Sequence, residues 1–189
     1  MNNNILFFAG SARRDSYNKK LARKAYDMAR AEGAAATLID LRDFPMPIYD
    51  GDLEAESGLP ENAKKLKQLF VEHRGLFIAS PEYNSSISPL LKNSLDWISR
   101  KESADEPPLI AYQNKVAALG ATSSGHFGGL RGLVILRMLL GNIQVTVLPK
   151  QLAIPYYKQA FNEAGELVDE PSIKNLQLII KNLIEAVGK

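Results

Sequence analysis

Three short stretches hold most of the residue types able to do chemistry. The first is GSARRDSYN, Gly10 to Asn18. Gly10 allows a tight backbone turn. Ser11 and Ser16 can donate hydroxyls, and Arg13 and Arg14 add positive charge. A helix that starts here points its free N–H groups at the same spot, which suits an anion and best of all a phosphate. Read without a ligand, Ser16 is an N-cap and the arginines form a solvated rim. Neither GxGxxG nor GxxxxGK[ST] is present, so a single phosphate fits better than a pyrophosphate.

The second stretch is SPEYNSSISPLLKNSLDWISR, Ser80 to Arg100. Pro81 stiffens its start and Tyr83 offers a flat face, while Glu82, Asn84, Ser85 and Ser86 offer hydrogen bonds. Pro89 suits the first turn of a helix, where its missing N–H is not needed. Tyr83 is either a ligand contact or a packed tyrosine, and Trp97 belongs to a core or an interface. The third stretch is ATSSGHFGGLRG, Ala121 to Gly132, whose four glycines can lie close to a ligand. His126 there is either a catalytic acid or a packing residue. One phosphate, a planar polar-edged system and a backbone-lined third wall are the parts of flavin mononucleotide (FMN).

These stretches must be positioned by strands and helices, and the apolar pattern supplies both. Strand candidates are Asn4–Ala9, Ala36–Leu41, Gly75–Ala79, Lys115–Ala121 and Ile143–Leu148. Helical periodicity covers Ser16–Ala31, Glu61–His73, Pro89–Ser99, Gly129–Leu140 and Pro171–Val187. The Pro-rich acidic segment 42–60 carries no periodicity. Nearly continuous apolar strands alternating with amphipathic helices imply an α/β parallel sheet covered on both faces. Five such units predict a doubly wound, flavodoxin-like sheet in the order 2-1-3-4-5, in a single domain over residues 1–189. Ligands of such sheets sit at the carboxyl ends of the strands, where all three stretches fall.

Composition removes several function classes. The chain has no cysteine, which excludes disulfides, thiol nucleophiles, cysteine-ligated zinc and iron–sulfur clusters. Its two histidines lack HExxH spacing, so no metal site is expected. A formal net charge of +2 with scattered basic residues gives no case for nucleic acid. No segment reaches the length needed to span a bilayer and the N-terminus lacks a signal-peptide pattern, so a cytoplasmic protein is expected. Any redox chemistry must then rest on a bound organic cofactor.

GSARRDSYN, PEYNSSISPLLKNSLDWISR and SSGHFGGLRG resemble the three signature loops of the NADPH-dependent FMN reductase family, which includes quinone, chromate and azo reductases. The resemblance covers essentially the whole chain. It implies a flavodoxin-like fold with non-covalent FMN and with NADPH or NADH as co-substrate. Ser11, Arg13, Ser16 and Asn18, with Tyr17 in the same loop, would hold the phosphate. Pro81, Glu82, Tyr83 and Asn84 would line the ring and ribityl chain, and Ser123, Ser124 and Gly125 would cover its other edge. One departure is Ser88-Pro89-Leu90, where many members carry Pro-Gly. The implied reaction is ping-pong: hydride from a nicotinamide to flavin N5, then electrons to a small acceptor such as a quinone, free flavin, azo dye or metal oxyanion. It needs no titrating side chain, so no catalytic residue is assigned. The family forms homodimers or homotetramers, which would give Trp97 and Arg100 a partner surface. No arginine cluster in the sequence can be assigned to a 2′-phosphate.

The rivals lack the residues they depend on. A non-enzymatic electron carrier of flavodoxin type presents a strongly acidic surface. A low-molecular-weight phosphatase needs a cysteine in its first loop, and a serine hydrolase needs GxSxG. A phosphoacceptor domain needs an aspartate ending the third strand.

Overall fold

The computed structural model describes residues 3–188. Five strands, β1 (Ile5–Ala9), β2 (Ala36–Leu38), β3 (Gly75–Ala79), β4 (Val116–Thr122) and β5 (Thr146–Ile154), form a parallel sheet. Their spatial order is β2-β1-β3-β4-β5, the flavodoxin-like order expected. All five residues of β1 and of β3 are buried, as strands covered on both faces must be.

Alternation along β1 assigns its side chains to two cores. Phe7 joins Phe77 and a layer built from α1 (Tyr17–Ala31) and α6 (Glu170–Gly188), with Leu21, Ala25, Leu176 and Leu183 at its centre. Leu6 and Phe8 face the opposite layer of α3 (Glu61–Glu72), α4 (Pro89–Ile98) and α5 (Leu130–Asn142), packing with Leu66, Phe70, Leu91 and Leu133. Helices lie on both faces, so the sheet is doubly wound.

Three stretches differ from the periodicity reading. β2 ends at Leu38 because Asp40 caps a 3₁₀ turn, Leu41–Asp43, by accepting from the Arg42 N–H at 3.0 Å. The acidic segment read as aperiodic contains α2 (Gly51–Ser57), started by Asp50 accepting from the Asp52 N–H and ended at Gly58 with φ +69°. None of its seven residues is buried, so it has no apolar stripe to detect. β5 begins at Thr146 rather than Ile143 and runs to Ile154. Ala117 pairs with Val147 but Leu119 with Gln151, so residues 148–150 form an irregularity that takes up Pro149 on this edge strand.

Of the two residues expected at a partner surface, Trp97 lies in the core and Arg100 remains exposed. Trp97 is completely buried, donates Nε1–H to the Pro47 carbonyl at 2.8 Å, and meets the Tyr49 ring edge-on. Asn93 accepts from the Tyr49 N–H at 2.7 Å and donates to the Pro47 carbonyl at 2.8 Å. Arg100 Nε reaches both Glu54 oxygens at 2.9 Å. Partial burial opposes ionisation of Glu54, but hydrogen bonds from Arg100 and Tyr49 hold its carboxyl below the usual range. Asn93 and Trp97, with Arg100, therefore clamp the segment between β2 and α3 onto α4.

Candidate active site

The register of the sheet brings the three loops together. Ala9 pairs with Ala79 and Ala79 with Gly120, so the strands end level. The next bonds continue the ladder: Gly10 N–H to the Ala79 carbonyl at 3.0 Å, and Ser80 N–H to the Gly120 carbonyl at 2.8 Å.

Specific side-chain contacts then join the loops pairwise. Buried Ser88, the N-cap of α4, accepts from the Leu91 N–H and donates its hydroxyl to the Gly10 carbonyl. With Pro89 in the first turn, α4 starts in place although the family's Pro-Gly is missing. Gly10 is required by this packing, since a Cβ there would lie 2.9 Å from Leu91 Cβ. Asn18 joins the first loop to the third: its Nδ2 donates to the Thr122 carbonyl at 3.0 Å and its Oδ1 accepts from the Thr122 N–H at 3.1 Å. Glu82 joins the second to the third. Its carboxylate accepts from Arg131 Nε at 2.9 Å, pairs with Arg131 Nη2 at 2.7 Å, and accepts from the Gly132 N–H at 3.1 Å.

Around α1 the expected anion-site donors divide into used and unused groups. Ser11 and Ser16 are buried, and Ser11 Oγ accepts from the Arg13 N–H at 3.4 Å. Ser16 is the N-cap of α1 with an extended backbone, yet its hydroxyl makes no capping bond. The first-turn N–H groups therefore lack the side-chain acceptor that usually covers them. Asn18's side chain is occupied by Thr122, which leaves its backbone N–H for any anion. Tyr17 turns its ring onto Tyr157, stacked at 4.1 Å, and against Phe161. Arg13 and Arg14 are exposed and form no ion pair among the described residues.

PEYN is the first strand and turn of a small hairpin, Glu82–Tyr83 paired with Ser86–Ile87. Asn84 and Ser85 sit at φ +50° and +67°, the left-handed pair of a two-residue type I′ turn. Asparagine tolerates that region well, which explains its place after tyrosine. Pro81 is buried and Tyr83 is exposed beside the hairpin tip.

The third loop's glycines answer to the protein itself. A Cβ on Gly128 would lie 2.6 Å from the Ile154 carbonyl carbon, and one on Gly129 would lie 2.7 Å from Ala121 Cβ. Both have positive φ, +60° and +93°. Gly132 faces the Ser86 carbonyl and Glu82 Cβ. Of the four, Gly125 alone has open space, with only Ser123 Oγ at 3.9 Å. Ser123 Oγ accepts from the Gly125 N–H at 3.2 Å, and Ser124 is exposed. His126 is exposed and lies 3.3 Å, Nδ1 to Oη, from Tyr156.

Thr122, Arg131 and Tyr156 are site residues that sequence reasoning missed. Thr122 and Arg131 act through contacts to residues more than forty positions away. Tyr156, a non-glycine at φ +48°, follows a strand whose end was misplaced in the sequence reading.

The assembled site has an uncapped helix start with two buried hydroxyls, an exposed aromatic face on a rigid turn, and an open glycine-bearing rim. That donor set fits a flavin mononucleotide: a phosphate at the helix start and a flat ring between hairpin and rim. Among the described residues no cluster of three or more His, Asp or Glu could hold a metal ion.

A sequence model of NADPH-dependent FMN reductases matches residues 3–159. An NADPH:quinone oxidoreductase of Arabidopsis thaliana is 32% identical over 183 residues, covering 95% of this chain and 89% of its own. An NAD(P)H-dependent FMN reductase of Pseudomonas aeruginosa is 31% identical over 174 residues, covering 92% and 89%. In structure, the flavoenzyme NAD(P)H:(acceptor) oxidoreductase from Paracoccus denitrificans superposes with a TM-score of 0.81 at 25% identity. That match covers 98% of this chain and 97% of the other.

Proposed function

The chain belongs to the NADPH-dependent FMN reductase family, and from that premise we propose that its three joined loops hold FMN and reduce a quinone-type acceptor. It is an FMN-dependent NAD(P)H oxidoreductase. The observation that carries the site assignment is the mutual bonding of the loops around an α1 start whose capping hydroxyl is unused. Ser11, Arg13, Ser16 and the first-turn N–H groups, including those of Tyr17 and Asn18, bind the phosphate. Pro81, Tyr83 and Asn84 line the ring on one side, with Glu82 holding the hairpin in place through Arg131. Ser123, Ser124 and Gly125 form the opposite rim.

Bound FMN supplies the two-electron chemistry, accepting hydride from the nicotinamide and passing electrons to the acceptor. The chain's own residues bind and orient. The Asn18–Thr122 bonds fix the phosphate loop relative to the rim, and the Ser88–Gly10 bond fixes it relative to the hairpin and α4. The type I′ turn presents the backbone and the Tyr83 face rigidly. Helix dipole and backbone N–H groups meet negative charge without a titrating side chain. Nicotinamide and acceptor use the same open face in turn, which gives ping-pong kinetics.

The absorption spectrum of the FMN-loaded protein tests this reading. Bands at about 370 and 450 nm, the cofactor's own, should bleach on anaerobic addition of NADPH and return with a quinone. A bound flavin that neither nicotinamide reduces would make the protein an electron carrier. Arg13→Ala tests the phosphate assignment: FMN affinity should fall by about 1–3 kcal/mol, the scale of a charge-assisted hydrogen bond. Unchanged affinity in a fluorescence titration would place the phosphate elsewhere.

The assembly proposed is a homodimer or homotetramer. Leu130, Val134 and Met138 repeat every four residues on the outer face of α5, and with Phe127 they are 41–60% exposed. Such a stripe beside the rim suits a second copy covering the flavin site. The working unit is one domain, and the cytoplasm is the compartment that supplies its reduced nicotinamides. No helix among the described residues is long and apolar enough to cross a membrane.

A further inference from the structure

A groove of about 790 Å³ runs along α1. Ser16 and Arg14 line its mouth, and Lys20, Arg23 and Lys24 follow along the helix. Neither the hairpin nor residues 121–132 line it, so it adjoins the three-loop site only through the first loop, at Arg14 and Ser16. Lys19, on the same helix face, is paired with Asp40 at 2.6 Å. Arg14, Lys20, Arg23 and Lys24 have no carboxylate partner among the described residues. Lys20 instead lies 4.6 Å over the Tyr17 ring and Arg23 5.5 Å from the Tyr26 ring.

The rest of the lining narrows the ligand class. Asp27, Asp43 and Glu166 also face the groove, which makes it a poor receptor for a bare polyanion. Carboxylates beside cations suit a ligand with both hydroxyls and phosphate. Leu38, Ile39 and Val168 add an apolar wall, and Val168 is 47% exposed. A flat base against that wall, a ribose near the acids and a phosphate on the cations describe a nucleotide. The acids are not confined to α1 and the 164–168 loop. Ala9 ends β1 and Asp40 follows β2, and both line the groove. From Ser16 to Arg23 the helix rises roughly 10 Å, so the cations extend away from the phosphate loop along the groove.

We propose that this groove takes the adenosine 2′-phosphate end of NADPH, with Arg23 and Lys24 contacting the 2′-phosphate. The proposal rests on the reading of the chain as a nicotinamide-dependent flavin reductase. It also supplies the cation cluster that sequence order did not reveal as a site, because its residues become a pocket only when β2 and the 164–168 loop form the other walls.

The test is calorimetric titration of adenosine 2′,5′-bisphosphate into the FMN-loaded protein and its Arg23→Gln/Lys24→Gln variant. Glutamine keeps the helix intact, since it is a good helix former. The bisphosphate should bind the parent protein and bind the variant about tenfold more weakly, the scale of one charge-assisted contact. The KM for NADPH should rise by about the same factor relative to that for NADH. Equal bisphosphate affinity in both proteins overturns the proposal. So does full displacement of bisphosphate by equimolar inorganic phosphate, or a KM rise shared equally by NADPH and NADH. A bound flavin that neither NADPH nor NADH bleaches overturns instead the reductase reading, and the bisphosphate titration then decides the groove on its own.

Discussion

Asn18→Ala is expected to destabilise the flavin-free protein by about 3 kcal/mol. The side chain satisfies both backbone groups of Thr122, a residue only 3% exposed, and Asn18 itself is only 5% exposed. Alanine would leave a buried N–H and a buried C=O without partners, and each costs roughly 1–3 kcal/mol. For a chain of this length that corresponds to a fall in Tm of roughly 10 °C. The measurement is urea unfolding of the protein stripped of FMN, followed by FMN titration. The design separates two roles for this residue. A side chain that served only the phosphate would leave the flavin-free protein unchanged and weaken FMN alone. A side chain that ties α1 to the end of β4 should lower stability first and FMN affinity as a consequence. Unaltered urea midpoints for the stripped variant would show that the Thr122 bonds contribute nothing.

The second large effect is at Gly128. Substitution by alanine would put Cβ 2.6–2.8 Å from the Ile154 and Pro155 backbone, at a φ of +60°. The neighbour is main chain and cannot rotate away. It is also held, because the Ile154 carbonyl accepts from Thr122 Oγ1 at 3.0 Å and from the Ser123 N–H at 3.2 Å. Left-handed strain and overpacking together should cost about 3 kcal/mol. The displaced rim should weaken FMN as well, which fluorescence titration reads directly. Gly125→Ala is the control, since the space around it is open, and its stability should stay within about 0.5 kcal/mol of the parent. Equal effects at the two glycines would mean that the loop answers to the ligand rather than to β5. This contrast corrects the simplest reading of a glycine-rich loop. Two of its four glycines, Gly128 and Gly129, are needed where protein meets protein, and Gly132 sits in a tight contact.

Local chemistry in the sequence was enough for the architecture and for gathering the three loops at one edge of the sheet. Continuous apolar runs alternating with amphipathic stripes point to strands covered on both sides by crossover helices, and five such units point to the flavodoxin-like order that the sheet adopts. Strand ends then place GSARRDSYN, PEYN and SSGHFGG at one edge without reference to any contact. Helix α2 stayed hidden because an unburied seven-residue helix carries no stripe, and the full length of β5 because proline interrupts its pattern. What each polar residue does was decided by tertiary structure alone. Serine, asparagine and glutamate look equally suited to a ligand and to a neighbouring loop. The choice rests on partners far away in the chain, such as Thr122 for Asn18 and Arg131 for Glu82. Trp97 and Asn93, read as a family signature, prove to be a clamp on the segment after β2. The physical reason is range. Periodicity and turn preference are encoded within a few residues, whereas a hydrogen bond's second partner is set by how the whole sheet closes.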